Sequence, residues 1–163
     1  MAPPVLRVTV ADAPLRRAMA GLRVAPAQRH RVGAIADLLA DVVQCPGCEP
    51  MAIMLGGTPV GYARLDPTAR SVAVSDLGPS ARGLRSFFID ARWQGRGLGS
   101  CALALLLADV AARHPDTRQL ALTVDDDNAV ALRLYHRAGF VDSGARYHGG
   151  PAGSQRLLTR TLP

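Results

Sequence analysis

The chain of 163 residues contains no lysine and a single glutamate, Glu49. All 19 of its basic side chains are arginines, and the net charge is +6. Beside so many alanines, this bias reads as the codon usage of a GC-rich genome, although arginine forks also suit phosphates. Aromatic residues make up only 4%, and the arginines are scattered with no basic run. That argues against a nucleic-acid partner. No apolar run is long enough to cross a bilayer: the strongest, Cys101 to Ala108, stops at Asp109, and a span needs about 20 residues. No membrane partner is expected. The start, Met1-Ala2-Pro3-Pro4, lacks the charged-then-apolar order of a signal peptide, so the expected location is cytoplasmic. Cysteines number three. Cys45-Pro46-Gly47-Cys48 has the spacing of half a zinc site or of a redox pair, yet no second pair completes four ligands. The pair reads as two loop cysteines in a reducing compartment, with no metal. There is no internal repeat, low-complexity tract or linker, and the length suits one domain over residues 1–163.

What is present is a sequence of short, well-marked elements. Leu6 to Val10 alternates as a strand. Asp12 caps a helix to Ala20, with Pro14 in its first turn. Gln28 to Val43 carries Val32, Ile35, Leu38, Leu39 and Val42 at helical spacing. Met51 to Leu55 and Val60 to Leu65 flank the turn Gly56-Gly57-Thr58-Pro59 as a hairpin. Asp66 to Arg82 reads as a surface connection with a short strand at Ser71 to Val74. Leu84 to Ile89 is a central strand, Gly97 to His114 a helix, Leu120 to Val124 a buried strand and Asn128 to Ala138 a second helix. Phe140 to Tyr147 and Gln155 to Thr161 close the sheet. The order predicts an α/β (α+β) fold, a mostly antiparallel mixed sheet with a central parallel pair flanked by helices.

The chemistry concentrates where Phe88-Ile89 runs into Gln94-Gly95-Arg96-Gly97-Leu98-Gly99-Ser100. Glycines there open a helix, and the free amides and dipole of a helix start suit a phosphate. Arg92 and Arg96 stand ready to add charge. Two ligand classes use this device. A dinucleotide wants G-x-G-x-x-G; here Ser100 takes the place of the third glycine, although Asp125 could serve as the ribose acid. The other class is coenzyme A.

Gln94-x-x-Gly97-x-Gly99 after a strand resembles the pyrophosphate loop of the GNAT N-acetyltransferase family. Asn128-x6-Tyr135, running into Gly139-Phe140, is similar to that family's second landmark, and Gly61-Tyr62 matches its hairpin strand. Phe87-Phe88-Ile89-Asp90 and Leu22 to Gln28 further resemble the bacterial spermine and diamine acetyltransferase branch. The resemblance covers nearly the whole chain and implies a GNAT-like fold, acetyl-CoA as donor and a small-molecule amine as acceptor, polyamine-like or otherwise. Alternatives are a protein or peptide amine, or a non-catalytic acyl-CoA sensor. A homodimer would follow family habit.

The resemblance also implies roles. Gln94, Gly95, Arg96, Gly97, Leu98, Gly99 and Ser100 would hold the pyrophosphate. The backbone of Phe88 and Ile89 would pair with the pantetheine arm, and Asn128 and Tyr135 would also bind the cofactor. Tyr135 would protonate the leaving sulfur, helped by a shared face with Asn128 and by an inward stripe of Val130, Leu134 and Ala138, while Arg133, His136 and Arg137 face away. Asp90, Asp76, Glu49 and His148 are the candidate bases for the amine, with a water chain as the alternative and none of them singled out. Asp125-Asp126-Asp127 reads as helix capping and not as a metal site.

Overall fold

The computed structural model describes residues 2–73, 76–150 and 153–163, leaving the side chains of 147–150 and 153 outside the description. Among the described residues, seven strands form one sheet in the order β1-β2-β3-β4-β5-β7-β6. They are β1 (Leu6–Val10), β2 (Glu49–Leu55), β3 (Thr58–Asp66), β4 (Ala81–Ile89), β5 (Gln119–Asp125), β6 (Val141–Gly150) and β7 (Gly153–Thr161). Every neighbouring pair is antiparallel except β4 with β5. The expected central parallel pair is therefore present. It is short: Ala81, Arg82 and Gly83 pair with Gln119, Leu120 and Ala121, and beyond that the strands separate.

Helices cover both faces. On one, α4 (Leu98–Arg113) and α5 (Ala129–Arg137) bury Leu103, Leu106, Val110 and Tyr135 against Met51, Ala63, Leu65, Leu84, Leu120 and Leu122. On the other, α1 (Ala13–Met19) and α3 (Ile35–Gln44) bury Met19 and Ile35 against Ala52, Met54, Tyr62 and Phe88. Strand β2 shows the alternation that produces this division: Met51 faces the first cluster, Ala52 and Met54 the second. No helix among the described residues is long and apolar enough to cross a membrane.

Four expectations change. The single helix over 28–43 is two: a 3-10 turn at Pro26–Gln28 and α2 (Arg29–Val32), then α3. Gly33, at φ 92°, is the cause, because a positive φ cannot continue a right-handed helix. The apolar stripe survives the break, since Val32, Ile35, Leu38 and Leu39 all reach the second core cluster. The strand at Ser71 to Val74 is a turn as far as it is described, held by Val72 and Ala73 amides on the Ala69 carbonyl, and Val74 lies outside the described residues. Nor is that connection wholly superficial: Ala69, Val72 and Ala73 are buried against Ala81, Ala121 and Leu157. Finally, Cys45 and Cys48 are not free loop thiols but a disulfide. The Pro46-Gly47 turn, with Gly47 at φ 79°, brings their Cα atoms to 5.4 Å, inside the bridging range.

Gly61 sets the spacing between β3 and β4. A Cβ there would lie 2.6 Å from the Phe88 carbonyl oxygen, and backbone cannot swing aside as a side chain can. We expect Gly61→Ala to cost roughly 2 kcal/mol and to lower the melting temperature by roughly 5 °C. Gly57→Ala, which meets nothing within 4 Å, should change it little; thermal unfolding of the two variants is the check.

Candidate active site

Where β4 and β5 part, a cleft of about 610 Å³ opens. Its walls are the ends of β4 and β5, the glycine turn with the start of α4, the inner side of α5, and Gln28, Arg31 and Val32 from the α2 segment. A second hollow of about 400 Å³ lies between α4, α5 and the chain end, lined mostly by alanine and leucine. It has no acid and no tyrosine in its lining, and the larger cleft is therefore the candidate site.

A bulge shapes the β4 wall. The pairing of β3 with β4 jumps from Tyr62↔Phe88 to Arg64↔Arg85, leaving Ser86 and Phe87 opposite Ala63. Ser86 takes φ 56°, the left-handed region in a non-glycine residue, a strained state often kept at functional sites. The bulge decides which backbone groups meet the cleft. Asp90 donates its amide to the Val60 carbonyl on the β3 side. By alternation, the amide and carbonyl of Ile89 point the other way, into the cleft. The Ile89 carbonyl there accepts from Gln94 Nε2 at 2.9 Å. Phe88 touches the cleft but buries its ring with Tyr62, and its carbonyl lies against Gly61. Ile89 is thus the residue of the pair that offers its backbone.

The glycine turn has the form that an anion needs. Gly95 and Gly97 stand at φ 78° and 76°, and Gly97 is the N-cap of α4 with no side chain capping it. The helix's own bonds begin with the Cys101 amide on the Gly97 carbonyl. The amides of Leu98, Gly99 and Ser100 are therefore free of helical partners, and no acid occupies the first turn. Arg96 stacks over the Trp93 ring at 4.8 Å. Gln94 is committed through its side chain, bridging Ile89 and Gln28 Oε1.

Arg92, expected beside a phosphate, does not line the cleft; its Nε and Nη2 bind Asp90. The Asp90 carboxylate is fully buried. It accepts from the Arg92 amide, Nε and Nη2 and from the Arg23 amide, at 2.7 to 2.9 Å. Burial alone would raise its pKa, but these bonds, Arg92's first, outweigh it and hold the carboxyl at about 2. Asp90 is consequently a staple between the glycine turn and the loop after α1, not a base. Glu49 is excluded by place. It pairs with Arg113 at the far end of α4, roughly 22 Å of helix from the glycine turn. Asp76 turns back onto the Gly78 amide. The side chain of His148 lies outside the described residues.

Helix α5 supplies Tyr135. Asn128 is its N-cap, Oδ1 accepting from the Ala131 amide at 3.3 Å, and both residues line the cleft. The Tyr135 ring is buried between Phe87 and Phe140, and burial pushes its phenol well above the ordinary value. It stays protonated throughout the neutral range, the form required of a proton donor. The stripe on α5 differs from expectation. Val130 is 70% exposed and lines the cleft mouth, while Ala131, Leu132, Leu134 and Ala138 pack on the core. Arg133 and Arg137 line the cleft as well and do not face away from it. The three aspartates before α5 cap nothing with their side chains. Asp125 binds Arg31 and Gln155, Asp127 binds Arg31, and Asp126 binds Arg156.

A model of the acetyltransferase (GNAT) family matches residues 34–140. The chain belongs to the GNAT acetyltransferase family. It is thereby an acetyl-CoA-dependent N-acetyltransferase. It is 33% identical over 113 residues to an uncharacterized N-acetyltransferase, YbbJ, of Bacillus subtilis, covering 69% of this chain and 70% of that one. To the spermine/spermidine N(1)-acetyltransferase of the same organism it is 30% identical over 131 residues, with 79% and 83% covered. The fold superposes on an aminoglycoside acetyltransferase, AAC(6')-Ib, solved in complex with coenzyme A, with a TM-score of 0.74 over 96% of this chain and 95% of that one, at 20% identity.

Sequence reading missed Ser86, Gln28, Arg31 and Gln155 as cleft residues. Only the break that Arg85-Ser86 makes in an otherwise apolar strand hinted at the bulge.

We expect Asp90→Asn to lower the melting temperature at pH 7 by roughly 5 °C. The native carboxyl is depressed from 3.8 to about 2, so its contribution is complete above pH 4 and is lost as pH falls through 2. The gap between wild type and variant should therefore narrow in melts run from pH 7 down to pH 3.

Proposed function

We propose that the chain acetylates a primary amine of a small cationic molecule by direct attack, with Tyr135 as the acid that receives the departing sulfur. The observation that carries this reading is the polarity of the cleft from end to end. One part of it offers free amides at Leu98, Gly99 and Ser100, with Arg137 lining the surface beside Ser100, a fit for pyrophosphate. Another part carries the buried Asp125 with Gln155, a fit for a cation. The relative named for spermine and spermidine and the aminoglycoside acetyltransferase of like fold support a small polyamine-like or aminosugar acceptor.

Acetyl-CoA supplies a thioester carbonyl to be attacked and a thiolate to leave. The chain does the rest. The backbone of Ile89 would dock the pantetheine arm as an added strand, in the gap that β5 leaves open. Its amide, turned to the cleft, is placed to polarise the carbonyl as negative charge grows on oxygen. Gln94, by holding the Ile89 carbonyl, fixes that orientation. Burial keeps the Tyr135 phenol protonated; it hands its proton to the sulfur as the C–S bond breaks, and the proton shed by the attacking nitrogen, passed through solvent, restores the phenol. Phe87 and Phe140 set the ring's angle.

A thiol-release assay across monoamines, diamines, polyamines, aminoglycosides and a peptide amine tests the acceptor class. Turnover confined to the multiply charged small amines is expected; turnover of the peptide alone would overturn it. Tyr135→Phe should reduce kcat by roughly 100-fold and leave acetyl-CoA affinity within about twofold, as read by turnover and calorimetry.

A further inference from the structure

The acceptor end of the cleft is already filled by a cation belonging to the chain itself. Arg31 reaches across from α2 and donates Nη1 to Asp125 Oδ2 at 2.9 Å and to Asp127 Oδ1 at 3.2 Å. The other oxygen of Asp125 accepts from Gln155 Nε2 at 2.8 Å. Asp125 is only 4% exposed, whereas Asp127 stands at the rim. A carboxylate so desolvated needs a positive partner, and Arg31 supplies it.

The segment that carries Arg31 is lightly held. None of the described residues 26–32 is buried. It ends at Gly33, whose positive φ lets the chain turn there. Besides Val32, which rests on the second core cluster, its ties to the cleft are polar: Arg31 to the two aspartates at one wall, and Gln28 to Gln94 at the other. A short segment pinned by a few polar contacts costs little to move. An exchange of one cation for another at Asp125 leaves the buried charge paired throughout.

We propose that Arg31 is a resident counter-cation, occupying on Asp125 the subsite that a second ammonium of the acceptor takes on binding. This rests on the cleft being the acetyl-transfer site. It specifies the acceptor further. The attacking nitrogen must be neutral, so the charge that displaces Arg31 has to come from another amine of the same molecule. The acceptor is therefore a diamine or polyamine, and the Arg31–Asp125 pair sets the selectivity against molecules with one amine. Arg31 tunes that affinity through Asp125 and does not touch the reacting atoms.

Calorimetric titration of the CoA-saturated protein with a linear diamine, and with the uncharged diol of the same length, tests this. Arg31→Gln removes the competitor, and diamine affinity should rise about tenfold, with the diol unchanged. Arg31→Met, which keeps a stem of similar reach, should do the same and guards against a folding defect in the first variant. Adding Asp125→Asn to Arg31→Gln should cancel the gain. Diamine affinity unchanged or weaker in a folded Arg31 variant would overturn the proposal, as would an equal gain for the diol. The titration needs no turnover. A diamine that binds as stated yet is never acetylated refutes the transfer reading alone. Acetylation of diamines with no effect of Arg31 refutes the counter-cation alone.

Discussion

Strands β4 and β5 share three paired residues and then separate, and the site depends on that separation. A parallel pair that continued to Ile89 and Asp125 would spend their backbone groups on each other and leave no gap. The separation follows from local geometry. The Ser86 bulge adds a residue to β4 against β3, and a bulged strand bends and twists away from its course. The left-handed Ser86 is maintained because the strand on either side is locked, by antiparallel pairing to β3 and by burial of Leu84, Phe88 and Ile89.

Two polar devices then arrange what surrounds the gap. Asp90 binds the loop after α1 to the start of the glycine turn through four hydrogen bonds. That fixes where the free amides of α4 sit. Gln94 ties the same turn to the β4 end and to Gln28. The cleft thus draws its lining from several elements: free amides from α4, arginines from α5, and the Arg31–Asp125 pair from α2 and β5.

Much of this was legible in the sequence, for identifiable reasons. Glycines at 95 and 97 do what glycines at helix starts do, and Asn128 to Tyr135 lies where its spacing put it. The parallel pair was readable from Leu120 to Val124, apolar on both sides. Other features needed three dimensions. Arg92 looked like a phosphate ligand because its partner, Asp90, is two residues away and its direction is invisible in a string. Asp125 to Asp127 looked like caps because Arg31, Gln155 and Arg156 are distant in sequence. Val130 looked like core because a valine at helical spacing usually is. Gly33 was the one visible signal that the helix over 28–43 would break, and the continuous apolar stripe concealed it.

The central claim is that the glycine turn and the Ile89 backbone together receive acetyl-CoA in the gap between β4 and β5. Amide hydrogen exchange, measured residue by residue with and without acetyl-CoA, tests it most directly. The account predicts slowed exchange at Leu98, Gly99, Ser100 and Ile89, with little change along β1 and β2. Unchanged exchange at those four amides under saturating acetyl-CoA, with protection appearing elsewhere, would contradict it.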